Sequence, residues 1–296
     1  MSGAVRTDVR TIDAVGALDT DTTIRPTDGG GTIDLSRDWE IWGPNGGYLA
    51  AIALRAAGGA TELTRPASFT AHFLGVAEFA PVDLAVRTLR RTKRAESIAV
   101  AMTQDGRPIL EAMTWIVAAG GDGLVHDAWT MPDVPAPESL PSMRDLIPAD
   151  APMFPFWNNL ELRPTEWIDD WDHRPPGVFH ERNWYRFTPT ATFADPFVDA
   201  ARALLILDTV LWPVAARGHP QEPDWYAPSV DVQVRFHALA PDDEFLLADA
   251  HSPEARDGLV GGVGSIWSQS GVLLATGGQQ MLCRPRHLNP NPDQRG

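Results

Sequence analysis

Cysteine, lysine and long apolar runs are all scarce in this chain of 296 residues. The single cysteine, Cys283, excludes an intrachain disulfide and a cysteine-ligated zinc site. The single lysine, Lys93, leaves Schiff-base chemistry with one poor candidate. No run approaches the roughly 20 apolar residues that span a bilayer, so no membrane insertion is expected. Positive charge is short as well, with 24 Lys and Arg against 39 Asp and Glu and a net charge of −15. Such a surface repels phosphate backbones, so nucleic acid is not an expected partner. There is no Gly-x-Ser-x-Gly elbow, no P-loop and no metalloprotease His spacing after His180-Glu181. Gly261-Gly262-Val263-Gly264 lacks the third glycine of a dinucleotide fingerprint. The histidines are scattered, and neither a metal nor a redox cofactor is expected.

What is present suffices for a packed core, since 44% of the residues are apolar. The length predicts about two domains. Residues 1–30 read as an irregular N-terminal segment ending in Asp28-Gly29-Gly30-Gly31, with the first ten residues loosely held. Its start is polar and lacks the apolar stretch of a secretion signal, so a reducing, cytoplasmic setting is the expectation. Residues 120–156 hold Pro132, Pro135, Pro137, Pro141, Pro148, Pro152 and Pro155. Proline lacks an amide proton and fixes φ, so this stretch reads as a linker. That leaves globular halves at 31–119 and 157–286 and a C-terminal tail at 287–296, expected to fray from Asn289.

The halves repeat one order of elements. The first has an apolar helical run over Tyr48–Ala57, ended by Gly58-Gly59, then strand-like runs at 67–74, 82–90, 97–104 and 109–117. Asp105-Gly106 signals a hairpin between the last two. The second has a helical run over Phe197–Trp212, stopped by Pro213, then strands at 229–237, 244–250, 261–267 and 272–282. Phe73 and Phe236, and Gly106 and Gly271, recur at nearly the same offset, which favours duplication. A buried helix followed by an antiparallel meander packs economically when the sheet wraps the helix. The expected class is therefore α+β, a tandem or double hotdog with each half an antiparallel sheet around a long apolar helix.

Several segments carry a family resemblance over most of residues 33–285. They are Trp42-Gly43-Pro44-Asn45-Gly46-Gly47-Tyr48, Leu89-Arg90-Arg91-Thr92-Lys93-Arg94 and Gln104-Asp105-Gly106-Arg107-Pro108-Ile109 in the first half. In the second half they are Asn159–Pro164, Leu204-Leu205-Ile206-Leu207-Asp208, Ser229-Val230-Asp231, Arg235-Phe236-His237 and Gly271–Ala275 with Gln279. Together they resemble the acyl-CoA thioesterase II-like double-hotdog family. The resemblance implies hydrolysis of acyl-CoA, with coenzyme A present only as part of the substrate. It also implies a catalytic Asp, hydroxyl residue and Gln, which fall by position on Asp208, Ser229 and Gln279. The hydroxyl residue is usually Thr, and here it is Ser. Asn45-Gly46-Gly47-Tyr48 replaces the family's usual glycine pair followed by Gln.

The residues also have readings of their own. Asp208 follows four apolar residues, so it is either exposed on a polar stripe with Asp199 and Arg202 or a general base beside a cleft. Strand alternation turns only one of Gln279 and Gln280 inward, and an inward Gln279 offers a donor and an acceptor to a water or an oxyanion. Ser229 is either structural or completes the hydrogen bonds of that water. Asn45 is either a helix N-cap or part of an oxyanion and substrate site with Gly46, Gly47 and Tyr48. Arg87, Arg90, Arg91, Lys93 and Arg94 are either a solvated hairpin rim or a cradle for the coenzyme A phosphates, with Arg90, Arg91, Lys93 and Arg94 its principal members. Trp157, Trp167, Trp171 and Trp184 read as packing between the halves, with neighbouring acids on a loop. The expected function is direct attack of water on an acyl thioester. The alternatives are a non-catalytic hotdog that binds acyl groups or scaffolds a partner, and a hydratase, which neither His-free helix favours. Assembly into a homo-oligomer is compatible with all of these.

Overall fold

The structure, a computed structural model, describes residues 15–220 and 225–286. The expectations of loose termini at 1–10 and from 289, and the tail at 287–296, lie outside them. The helices are α1 (Leu18–Asp21), α2 (Gly46–Gly58), α3 (Met143–Leu146) and α4 (Pro196–Arg217). The first half holds β1 (Arg25–Thr27), β2 (Gly30–Asp34), β3 (Arg65–Phe73), β4 (Pro81–Arg91), β5 (Ala95–Gln104) and β6 (Arg107–Val117). The second holds β7 (Leu160–Pro164), β8 (His180–Phe187), β9 (Trp225–Tyr226), β10 (Asp231–Phe236), β11 (Phe245–Arg256), β12 (Leu259–Ser268), β13 (Leu273–Leu282) and β14 (Arg284–Pro285).

Twelve of these strands form one antiparallel sheet in the order β1-β2-β4-β5-β6-β3-β10-β13-β12-β11-β8-β7. Read from either end toward the β3–β10 seam, the two halves list corresponding strands in the same order. Phe73 and Phe236 end the two seam strands, and Gly106 and Gly271 turn the corresponding hairpins, both at positive φ. The expected double hotdog is therefore present, with the seam joined by pairs such as Val234 with Phe69.

The two central helices meet between the wrapped halves. α2 begins where Asn45 Oδ1 accepts the Tyr48 N–H at 2.9 Å, an N-cap that satisfies one of the free amides of the first turn. Its residues Tyr48 to Leu54 are all buried, as the nearly uniform apolar run requires. Gly47 lets α4 approach closely, because a Cβ there would sit 2.9 Å from the backbone of Leu205. α4 starts with Asp195 capping Phe197 and Pro196 in the first turn. Its first turns are anchored by the buried Asp199–Arg202 ion pair, whose guanidinium also donates to Ala191, Asp243 and Ala240 carbonyls. The exposed polar stripe considered for Asp199, Arg202 and Asp208 is not there, since all three are buried.

Three expectations need correction. Pro213 does not stop the second helix, which continues to Arg217. The proline removes one backbone hydrogen bond, but the following residues Val214 and Ala215 are buried and hold the helix in place. Strand β1 lies in the segment expected to be irregular, and β7 and β8 lie in the second half where no strand is expected from the sequence. In β8 the inward positions Glu181, Asn183 and Tyr185 are polar or part polar, so no apolar alternation marks the strand. Of the four tryptophans expected between the halves, only Trp157 packs against the main core, beside Phe156, which in turn meets Trp39. Trp184 lies in a small second core with Phe245, Leu247 and Trp267, covered by Met131, Val134 and Leu140 of the linker. Trp167 and Trp171 are partly exposed. No helix among the described residues is long and apolar enough to cross a membrane.

Candidate active site

α4 carries Asp208 to the point where the N-terminus of α2 abuts it. Asp208 is 5% exposed, its carboxylate lies close against Gly46 and Ser229, and with Phe73 and Gln279 these residues line one cavity of about 290 Å³. Ser229 Oγ stands 3.1 Å from Asp208 Oδ1 and 2.8 Å from Gln279 Oε1. Gln279 Nε2 donates to the Asp208 backbone carbonyl at 2.8 Å. That donation fixes the amide orientation, because a carbonyl only accepts, and so turns Oε1 toward Ser229. One hydroxyl proton then serves two acceptors. With Asp208 ionised, Ser229 donates to one of them at a time; with Asp208 protonated, its O–H can donate to Ser229 while Ser229 donates to Gln279.

Local structure places each side chain. Gln279 sits in β13 paired with Gly262, facing inward while Gln280 is exposed, as alternation requires. Ser229 precedes β10 in an isolated bridge to Met281. Its neighbour Val230 donates to Gln280 at 2.8 Å and accepts from Phe73 at 3.0 Å, so the Ser229 backbone is clamped between β13 and β3.

Burial pushes the Asp208 carboxyl up to about 6 from 3.8. The Ser229 hydroxyl and the Gly47 N–H pull the other way by bonding the charged form. The Gly47 amide belongs to the first turn of α2, where backbone dipoles favour a negative charge. Asn45 ties the same turn to α4, its Nδ2 donating to Thr209 Oγ1 at 3.3 Å. Asn45 and Gly46 line the cavity.

Tyr48 is not brought to the cavity. It is fully buried, stacks on Trp39 at 5.4 Å, donates its hydroxyl proton to Asp21 at 2.8 Å and accepts from the Ser36 N–H at 3.3 Å. Position 48 faces the core because it lies on the far side of the helix turn from Gly46. Arg90, Arg91, Lys93 and Arg94 are exposed around the β4–β5 turn, with Arg91 donating to Ala60 at 3.1 Å and paired with Glu96 at 3.0 Å. Ala60 follows the C-terminus of α2, and 13 helical residues at about 1.5 Å each separate that end from Gly46. The basic cluster and the Asp208 cavity are at opposite ends of α2.

The aromatic wall of the cavity was not singled out as a site from sequence. Trp42 packs against Trp212 at 6.5 Å and Tyr226 at 5.1 Å, and all three line the cavity with Phe73. Trp212 follows Asp208 by four residues, so helical spacing alone puts it one turn further along the same face.

Residues 35–117 match the acyl-CoA thioesterase N-terminal domain family, and residues 131–283 match the acyl-CoA thioesterase C-terminal domain family. No curated protein sequence matches the chain. Among solved structures, a hot dog fold protein of unknown function from Alicyclobacillus acidocaldarius is similar at 24% identity and a TM-score of 0.77, covering 92% of this chain and 99% of that one. The tesB protein of Mycobacterium avium subspecies paratuberculosis has 21% identity and a TM-score of 0.74, covering 90% and 98%. Acyl-CoA thioesterase II TesB2 of Mycobacterium marinum has 20% identity and a TM-score of 0.74, covering 91% and 98%.

Proposed function

The chain belongs to the acyl-CoA thioesterase family, and from that premise we propose that Asp208, Ser229 and Gln279 direct water onto the carbonyl carbon of an acyl-CoA. The observation that carries this reading is the Ser229 hydroxyl bridging a desolvated carboxylate and a fixed amide in the cavity wall. A carboxyl near 6 is mostly ionised at neutral pH and is a competent proton acceptor. Water held at the cavity face of Asp208 and Ser229, with Gln279 fixing the Ser229 hydroxyl, attacks the thioester carbon and gives a proton to Asp208. The carbonyl π pair moves to oxygen, beside Gly46 at the positive end of α2. Collapse of that oxyanion breaks the C–S bond, and the departing thiolate takes the proton from Asp208. The products are the free acid and the coenzyme A thiol. The acyl chain lies against Trp42, Phe73 and Trp212.

This mechanism asks the protein for no metal or redox group. Release of free thiol from a panel of acyl-CoAs of graded length tests it. Turnover on at least one chain length is the expected result, and none across the panel would overturn the reading.

A further inference from the structure

Three side chains with metal-ligand chemistry meet on the outer face of the sheet, away from Asp208. In β11, Ala248 and Ala250 are buried and turn inward, so alternation turns Asp249 and His251 outward. β8 pairs with β11 so that His180 lies opposite His251 and Arg182 opposite Asp249. His180 Nε2 stands 2.8 Å from Asp249 Oδ1, and His251 Nε2 stands 3.4 Å from the same oxygen. One ligand atom from each of the three residues lies within 4.8 Å of the other two. His180 and Asp249 are 69 positions apart, so the grouping arises from strand pairing and leaves no motif in the sequence.

Imidazole nitrogen and carboxylate oxygen bind zinc at about 2.0–2.2 Å, which sets neighbouring ligand atoms about 3.3 Å apart in a tetrahedral site. The two nitrogen–oxygen separations here lie on either side of that spacing. The imidazole rings stack with centroids 4.3 Å apart and planes inclined by 22°. Each ring therefore has to turn about its Cβ–Cγ bond, a broad and soft torsion, to aim its lone pair at a shared ion. The side chains of His180 and His251 are 35% and 47% exposed, which leaves them room to do so. Asp249 and His251 also line a cleft of about 480 Å³ under Trp129, so an ion can enter with its remaining waters.

Arg182 Nε donates to Asp249 Oδ1 at 2.9 Å, while Oδ2 takes no hydrogen bond among the described residues. The guanidinium orients the carboxylate, as the outer partners of metal ligands do, and Oδ2 stays available. It also neutralises the carboxylate charge. Magnesium and calcium depend on several oxygen ligands and gain little from such a set. Imidazole nitrogen suits zinc, nickel and copper.

We propose that His180, His251 and Asp249 bind one imidazole-preferring divalent cation of the zinc and nickel class, clamping β8 to β11. Each Nε2 then offers its lone pair, and the ring proton resides on Nδ1. Water completes the coordination. This site lies on the opposite face of the sheet from α4 and is independent of the Asp208 chemistry.

Calorimetric titration of the metal-free full chain with zinc chloride tests the proposal. In excess magnesium, the wild type should bind one zinc per chain. Its melting temperature should rise with free zinc, because an ion held only by the folded chain stabilises it. His180→Ala and His251→Ala should each weaken binding by at least about tenfold, with unchanged circular dichroism. His173→Ala removes a histidine paired with a single carboxylate and should bind zinc as the wild type does. Absence of zinc binding by the wild type, or unchanged affinity in both His180→Ala and His251→Ala, would overturn the proposal.

Discussion

A Cβ on Gly46 would stand 2.9 Å from Asp208 Oδ2 and 3.3 Å from Oδ1, so the carboxylate keeps its place only while position 46 is glycine. The same close approach lets the first turn of α2 face the charge on Asp208.

Gly46→Ala therefore separates positioning from folding. Alanine suits a helix start, so the melting temperature should change little. The added methyl displaces the carboxylate by a fraction of an ångström or more. Misplacement on this scale costs up to about a hundredfold, and we expect a loss of about tenfold to a hundredfold in kcat. Unchanged kcat would show that the Asp208 position is not critical.

Ser229 supplies a hydroxyl, and threonine supplies the same group. Ser229→Thr should retain turnover within about fivefold, whereas Ser229→Ala should lose about tenfold to a hundredfold. A double-mutant cycle with Gln279→Ala checks that the two act together: the combined loss should be smaller than the product of the single losses. Multiplicative losses would show independent roles.

Activity should rise with pH through about 6 and level off above it, because the base must be ionised to accept a proton. A pH profile of kcat/KM from 4.5 to 8 on a chain-matched substrate reads this limb. A rate flat through 6, or falling with rising pH, would assign the base elsewhere.

Burial of Asp208 also has a stability consequence with a definite sign. Its folded pKa lies above its unfolded one, so the folded chain holds the proton more tightly. This contribution is fully present below 3.8 and is lost as pH rises to about 6. The interval is worth about 3 kcal/mol at neutral pH. Asp208→Asn abolishes the titration, so the variant should be more stable than wild type by up to about 3 kcal/mol at pH 7, with the difference shrinking toward pH 4. Denaturant midpoints at the two pH values measure it, and a variant less stable at pH 7 than at pH 4 relative to wild type would reverse the sign.

Much of this architecture is legible in the sequence, for identifiable reasons. α2 is apolar all round and capped by Asn45, and the hairpin at Asp105-Gly106 requires positive φ at both residues, so these elements declare themselves locally. Gln279 and Gln280 part by simple alternation. β8 was hidden because its inner face is polar, and the polarity reflects a cavity rather than a core. Pro213 misled because its local cost is outweighed by the burial of the turn beyond it. Tyr48 and the Arg90–Arg94 cluster were plausible at the substrate by type alone; their distance from Asp208 depends on helix phase and on which end of α2 the β4–β5 turn reaches. Trp42, Trp212 and Tyr226 converge from three segments, and that convergence follows only from the packing of the halves.

The most direct measurement is thiol release by Asp208→Asn on the best wild-type substrate, at pH 7, with folding monitored by circular dichroism. The account predicts an intact fold and a turnover lower by at least about a hundredfold. Near-wild-type turnover by the folded variant would contradict it.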